Sequence, residues 1–141
     1  MDKKLKETLP IICEEKEEFK TLRRNLIFII DAFEQDNEIE QLKSNFENEP
    51  IYQGLLERFS FLNEFEKFDK TVSYECMLEA IKEIRENRVL LSDDANLFNL
   101  MLSKELDKDI LTYTYCALKV SLKETEKIID LLTKFEEIVK N

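Results

Sequence analysis

The sequence predicts an all-α protein, a single-domain bundle of about six or seven helices over residues 1–141. Three observations predict it. Apolar residues recur at three- and four-residue steps through most of the chain, and polar capping residues stand where those stripes begin. One Gly and two Pro among 141 residues leave little material for the tight turns that an all-β fold requires. Hydrophobic residues make up 43% and charged residues 37%, too apolar for intrinsic disorder. A chain of this length buries about two-thirds of its unfolded surface around one core.

After Thr8, the residues Ile12, Phe19, Leu22, Leu26, Ile29 and Phe33 share one face, so a long helix is expected over about 9–34. Glu15 falls on the same stripe, which leaves that end of the face either wet or in contact with a positive group. Asp36 or Asn37 is placed to cap a second helix, with Glu40 completing a capping box and Ile39, Leu42 and Phe46 inward. Pro50 ends it and can open a third helix, about 50–68, at its first turn. Leu55, Phe59 and Leu62 lie on one stripe of that helix, and Phe61, Phe65 and Phe68 lie on a neighbouring one.

Thr71 or Ser73 then caps a helix through about Arg88, with Tyr74, Met77, Ile81 and Ile84 inward. Ser92, Asp93 and Asp94 read as the start of another, carrying Ala95, Phe98, Met101 or Leu102, and Leu106. Asp107 caps a sixth. From Ile110 to Leu122 the only charge is Lys119, so a central buried helix is expected near 109–120, with Leu111 and Leu118 fully enclosed. Ser121 with Glu124 forms a second capping box ahead of Ile128, Ile129, Leu132, Phe135 and Val139, although these last two helices can also run on as one.

The chemistry that the chain can support is narrow. Histidine is absent, which removes the usual general base near neutral pH, the usual transition-metal ligand and the Ser–His and Cys–His nucleophile pairs. A lone glycine, Gly54, cannot build a phosphate-cradling loop. Cys13, Cys76 and Cys116 are odd in number and widely spaced, so reduced thiols buried as small hydrophobes are expected rather than disulfides or a zinc knuckle. Carboxylate–magnesium chemistry remains open through Glu14 with Glu17, Glu15 with Glu18, Asp31 with Glu34, Glu83 with Glu86, and Glu66 with Asp69. The first two pairs lie about 24 Å from the third along one helix, at about 1.5 Å per residue, so they cannot share an ion with it. No catalytic residue, metal or cofactor is expected. Neither a signal peptide nor a membrane span is expected, since Pro10 and four nearby glutamates interrupt the first apolar stretch, and a cytoplasmic protein is anticipated.

The net charge is −10, which disfavours direct contact with nucleic acid. Within 31–49, Asp31, Glu34, Asp36, Glu38, Glu40, Glu47 and Glu49 face Lys43 alone, so six of those ten net charges sit there. This segment is either a solvated face or a docking surface for a protein partner with a basic surface. The Phe61, Phe65 and Phe68 stripe is either core or an exposed anchor for a partner or a second copy. Asp31, Glu34, Asp36, Glu38, Glu40, Phe61, Phe65 and Phe68 are therefore the candidate partner-binding residues. The expected function is a non-enzymatic protein-binding module: an inhibitor, immunity-type protein, chaperone or assembly subunit. A helical subunit of a nucleoprotein complex is the alternative, and a magnesium-dependent nucleotide hydrolase a third.

Overall fold

The structure, a computed structural model, describes residues 2–140. Among the described residues there are six α-helices and no strand: α1 Leu9–Asp36, α2 Glu40–Asn45, α3 Pro50–Glu57, α4 Leu62–Phe65, α5 Tyr74–Met101 and α6 Lys108–Lys140. Short 3-10 turns at Leu5–Thr8 and Phe46–Asn48 precede α1 and follow α2. The all-α bundle expected from the apolar periodicity is what forms.

Three long helices make the frame, and side-chain pairs fix their directions. Moving along α1 from Lys16 to Glu34 moves backward along α6 from Glu136 to Tyr115, so these two helices are antiparallel. The Asp2 carboxylate accepts from the Tyr74 backbone N–H, and Glu15 accepts from Arg85 and Arg88. Both links join residues about the same distance apart in sequence, so α1 and α5 run parallel in constant register. A parallel pair needs a return crossover, and the short helices α2, α3 and α4 lie on that return. The interface between α1 and α6 is the most extensive in the molecule. It buries Ile12, Phe19, Leu26 and Phe33 from one side and Leu118, Ile128, Leu132 and Phe135 from the other. Each such side chain contributes roughly 1.5–3 kcal/mol of apolar burial.

Several boundaries differ from expectation for identifiable reasons. Ser92, Asp93 and Asp94 do not start a helix, because α5 runs unbroken through them. Ile84, Leu91, Ala95 and Phe98 keep one buried face across the polar trio, so continuing the helix costs no packing. Asp94 is instead a mid-helix carboxyl whose pKa burial pushes up, with Arg58 opposing that shift. Ser121 and Glu124 likewise lie buried inside a continuous α6.

The helix expected over 50–68 breaks between α3 and α4. Its two apolar stripes point in different directions, and the break lets both turn toward the core. Asn37 does not cap α2 but donates from Nδ2 to the Phe33 carbonyl at 3.0 Å, closing α1. Ser73 does cap α5, accepting from the Cys76 N–H at 3.1 Å, and Asp107 caps α6 through the Ile110 N–H at 2.9 Å. In the central helix Leu118 is fully enclosed, whereas Leu111 is only half-buried and Ile110 and Tyr113 are exposed. Only its stretch from Thr114 to Ser121 is central.

Candidate functional site

The acidic segment folds as the end of α1, the short α2 and the 3-10 turn, and it borders the first turns of α6. Two adjoining clefts of about 430 and 450 Å³ lie there, sharing Glu49, Lys108 and Thr112. Ile39, Leu42 and Leu111 supply apolar lining in the first, and Ile51 and Tyr113 do so in the second. Glu38, Glu49 and Asp109 also line this groove, with Lys108 as the one cation among the described lining residues. Asp31, Asp36, Glu38, Glu40 and Glu47 are exposed. None of them is within ion-pair distance of a described cation. Asp31 stands on α1 outside the groove, and Glu40 begins α2 without lining it.

Glu34 is the exception in this set. It accepts the Tyr115 hydroxyl at 2.8 Å and lies 3.5 Å from the Lys43 ammonium, so its charge is used within the fold. Tyr115 is fully enclosed between Phe33, at 5.8 Å, and Phe46, at 5.7 Å, measured between ring centres. Burial, and then the adjacent Glu34 carboxylate, hold its hydroxyl well above the ordinary phenol range. Tyr115 is thus a packing residue with a satisfied hydroxyl that anchors the acidic segment to α6. The Lys119 ammonium lies 5.1 Å from the Phe46 ring centre and completes this aromatic node.

The Phe61, Phe65 and Phe68 stripe does not stand free as a patch. Phe65 is buried between the other two, 6.1 Å from Phe61 and 5.6 Å from Phe68, and Phe68 stacks on the core residue Phe135 at 5.5 Å. The break before α4 turns these rings inward, so Phe65 serves the core. Phe61 and Phe68 remain partly open.

Glu15, ambiguous in sequence, finds its positive partner inside the molecule. It is buried and accepts from Arg85 Nε at 2.7 Å and from Arg88 Nε at 2.8 Å, with Arg88 also donating at 3.2 Å. Burial alone would raise its pKa, but the two guanidiniums outweigh that and hold the carboxyl below the ordinary range. Lys16 is similarly engaged by Glu136 at 3.3 Å. These cations on α1 and α5 are therefore partnered within the fold rather than lined up as a phosphate-binding track.

Among the described residues no group of three or more Asp, Glu or Cys side chains converges as a metal site. The acidic pairs named above do not gather into one cluster. Of the thiols, only Cys116 is buried, and burial pushes its pKa up to about 11; Cys13 is half-buried and Cys76 exposed, contrary to the expectation that all three pack as hydrophobes. No described helix is long and apolar enough to cross a membrane.

One surface was missed by sequence reasoning. Val89, Leu90, Leu97 and Leu100 are exposed on the outside of α5, opposite its buried face. Splitting α5 at Ser92 assigns Leu90 and Leu97 to different helices, which hides their seven-residue spacing. Neither a protein-family model, nor a curated protein, nor a solved structure matches this chain.

Proposed function

We propose that the chain is a non-enzymatic protein-binding module that docks a basic segment of a protein partner against the acidic groove between α2 and the start of α6. The observation that carries this reading is a local imbalance. Carboxylates crowd segment 31–49, most make no ion pair with a described cation, and a groove with apolar lining opens beside them. Like charges held together repel one another, and a basic surface relieves that repulsion while accelerating encounter. Apolar lining then slows dissociation. An inhibitor, an immunity-type protein, a chaperone or an assembly subunit would each use such a surface.

The test is kinetic. A partner is isolated from the native source on the wild-type protein, and its association with wild type and with Glu38→Lys/Glu40→Lys is followed across salt concentrations. The reading expects the variant to associate about tenfold more slowly, within the usual range of electrostatic steering, and to lose most of the salt dependence. Equal rates and equal salt dependence would show that the segment is only a solvated face.

A further inference from the structure

We infer that the outer face of α5 is a second docking surface, separate from the acidic groove, and that it takes a cationic amphipathic helix from a protein partner. Leu90, Leu97 and Leu100 form an exposed apolar ridge about 15 Å long, at about 1.5 Å per residue. Val89 flanks it, also exposed. Glu79, Glu83 and Glu86 continue the same side of the helix toward its N-terminus, with Lys82 exposed among them, and Asp93 interrupts the ridge. All four carboxylates are exposed and none makes an ion pair with a described cation. The arginines nearest in sequence, Arg85 and Arg88, are turned to Glu15.

Beside the ridge, a cleft of about 300 Å³ separates α5 from the turn before α4. It is lined by Phe59, Phe61 and Leu90, by Glu83 and Glu86, and by Arg58 and Asn87. Phe61, half-buried, is the one member of the phenylalanine stripe that borders this face. The surface thus offers apolar contacts along a ridge of α5 and carboxylates for cations beside it.

The charge pattern selects the occupant. A second copy of this chain would bring another net charge of −10. Pairing the ridge with itself about its midpoint would set each Asp93 carboxylate against the leucine at position 97 of the other copy, burying an unpaired charge, which opposes association. A partner helix with one apolar face and lysine or arginine at its edges meets Leu90, Leu97 and Leu100 with the first and Glu83, Glu86 and Asp93 with the second.

The experiment uses a synthetic helix of about 20 residues with one leucine face and lysine flanks, a span matched to Glu79–Leu100. A leucine–glutamate counterpart is its control. Binding is measured by titration calorimetry against wild type, Leu97→Asp/Leu100→Asp, Glu83→Lys/Glu86→Lys and Glu38→Lys/Glu40→Lys, each verified as folded by circular dichroism. The lysine helix should bind wild type and the groove variant alike, and each α5 variant should lose about tenfold or more, the scale of an interface anchor. The glutamate helix should not bind. Four results would each overturn the inference: no binding to wild type, equal binding to the α5 variants, loss only in the groove variant, or equal binding of both helices. Sedimentation showing a wild-type dimer that Leu97→Asp/Leu100→Asp dissolves would make a second copy the occupant, and would overturn it too.

Discussion

Two buried glutamates act in opposite directions on stability. Glu15 is held below the ordinary glutamate range by Arg88 and Arg85, against the burial that raises it. Its stabilisation is therefore complete above about pH 4.5 and is lost as pH falls through its depressed folded value. Glu124 is also buried, its Oε2 has no hydrogen-bond partner, and burial raises its pKa against the pull of Lys127 and Lys123. Its contribution is present below about pH 4.5 and disappears as pH rises through the raised value. Glu15→Ala should cost about 2–3 kcal/mol near neutral pH, less than a fully buried pair because Arg85 is 45% exposed. Glu124→Gln should raise the melting temperature near neutral pH and leave it unchanged in acid. Thermal melts of both variants across pH check the pair of signs, and a Glu124→Gln protein less stable at neutral pH would mean that this carboxylate has a partner when ionised.

At the level of elements, capping chemistry separates the true start of α5 from the apparent one. Ser73→Ala removes the bond to the Cys76 N–H and should cost about 1 kcal/mol, whereas Ser92→Ala lies mid-helix and should be neutral or stabilising by a few tenths. Urea denaturation distinguishes them, and equal losses would place a helix start at Ser92. The apolar stripes of α1 and α6 were readable from sequence because their period is local, and so were the caps at Ser73 and Asp107. The continuity of α5 and α6 was not, since Ser92–Asp94 and Ser121 with Glu124 carry capping signatures that only packing along the whole helix overrides. The break before α4 was hidden for a related reason. Two apolar stripes on one stretch imply either a wide buried arc or a bend, and the choice depends on where α6 lies. In the candidate groove, the acidic half was legible as a charge imbalance, but its apolar lining draws Leu42, Ile51 and Leu111 from three helices.

For the whole molecule, the contact between α1 and α6 dominates stability. Leu118, fully enclosed there, should lose about 2–5 kcal/mol on replacement by Ala, while half-buried Leu111 near the helix start should lose about 1 kcal/mol. The three cysteines are free, so both variants and the parent should melt identically with and without dithiothreitol. Calorimetry checks the ranking. Equal melting temperatures for the Leu118 variant and the parent would mean that the helix is not central.

The antiparallel pairing of α1 with α6 also has a consequence for synthesis. Lys16 meets Glu136, 120 residues later in the chain. At roughly 5–20 residues per second, a ribosome takes about 6–24 s to deliver the second after the first. During that interval the apolar side of α1, with Phe19, Leu22 and Leu26, has emerged before the helix that encloses it has been made. The arginines of α5 arrive sooner, so the polar seam through Glu15 is available to the nascent chain ahead of the apolar one. The apolar side of α1 therefore gains its cover only once α6 has been translated.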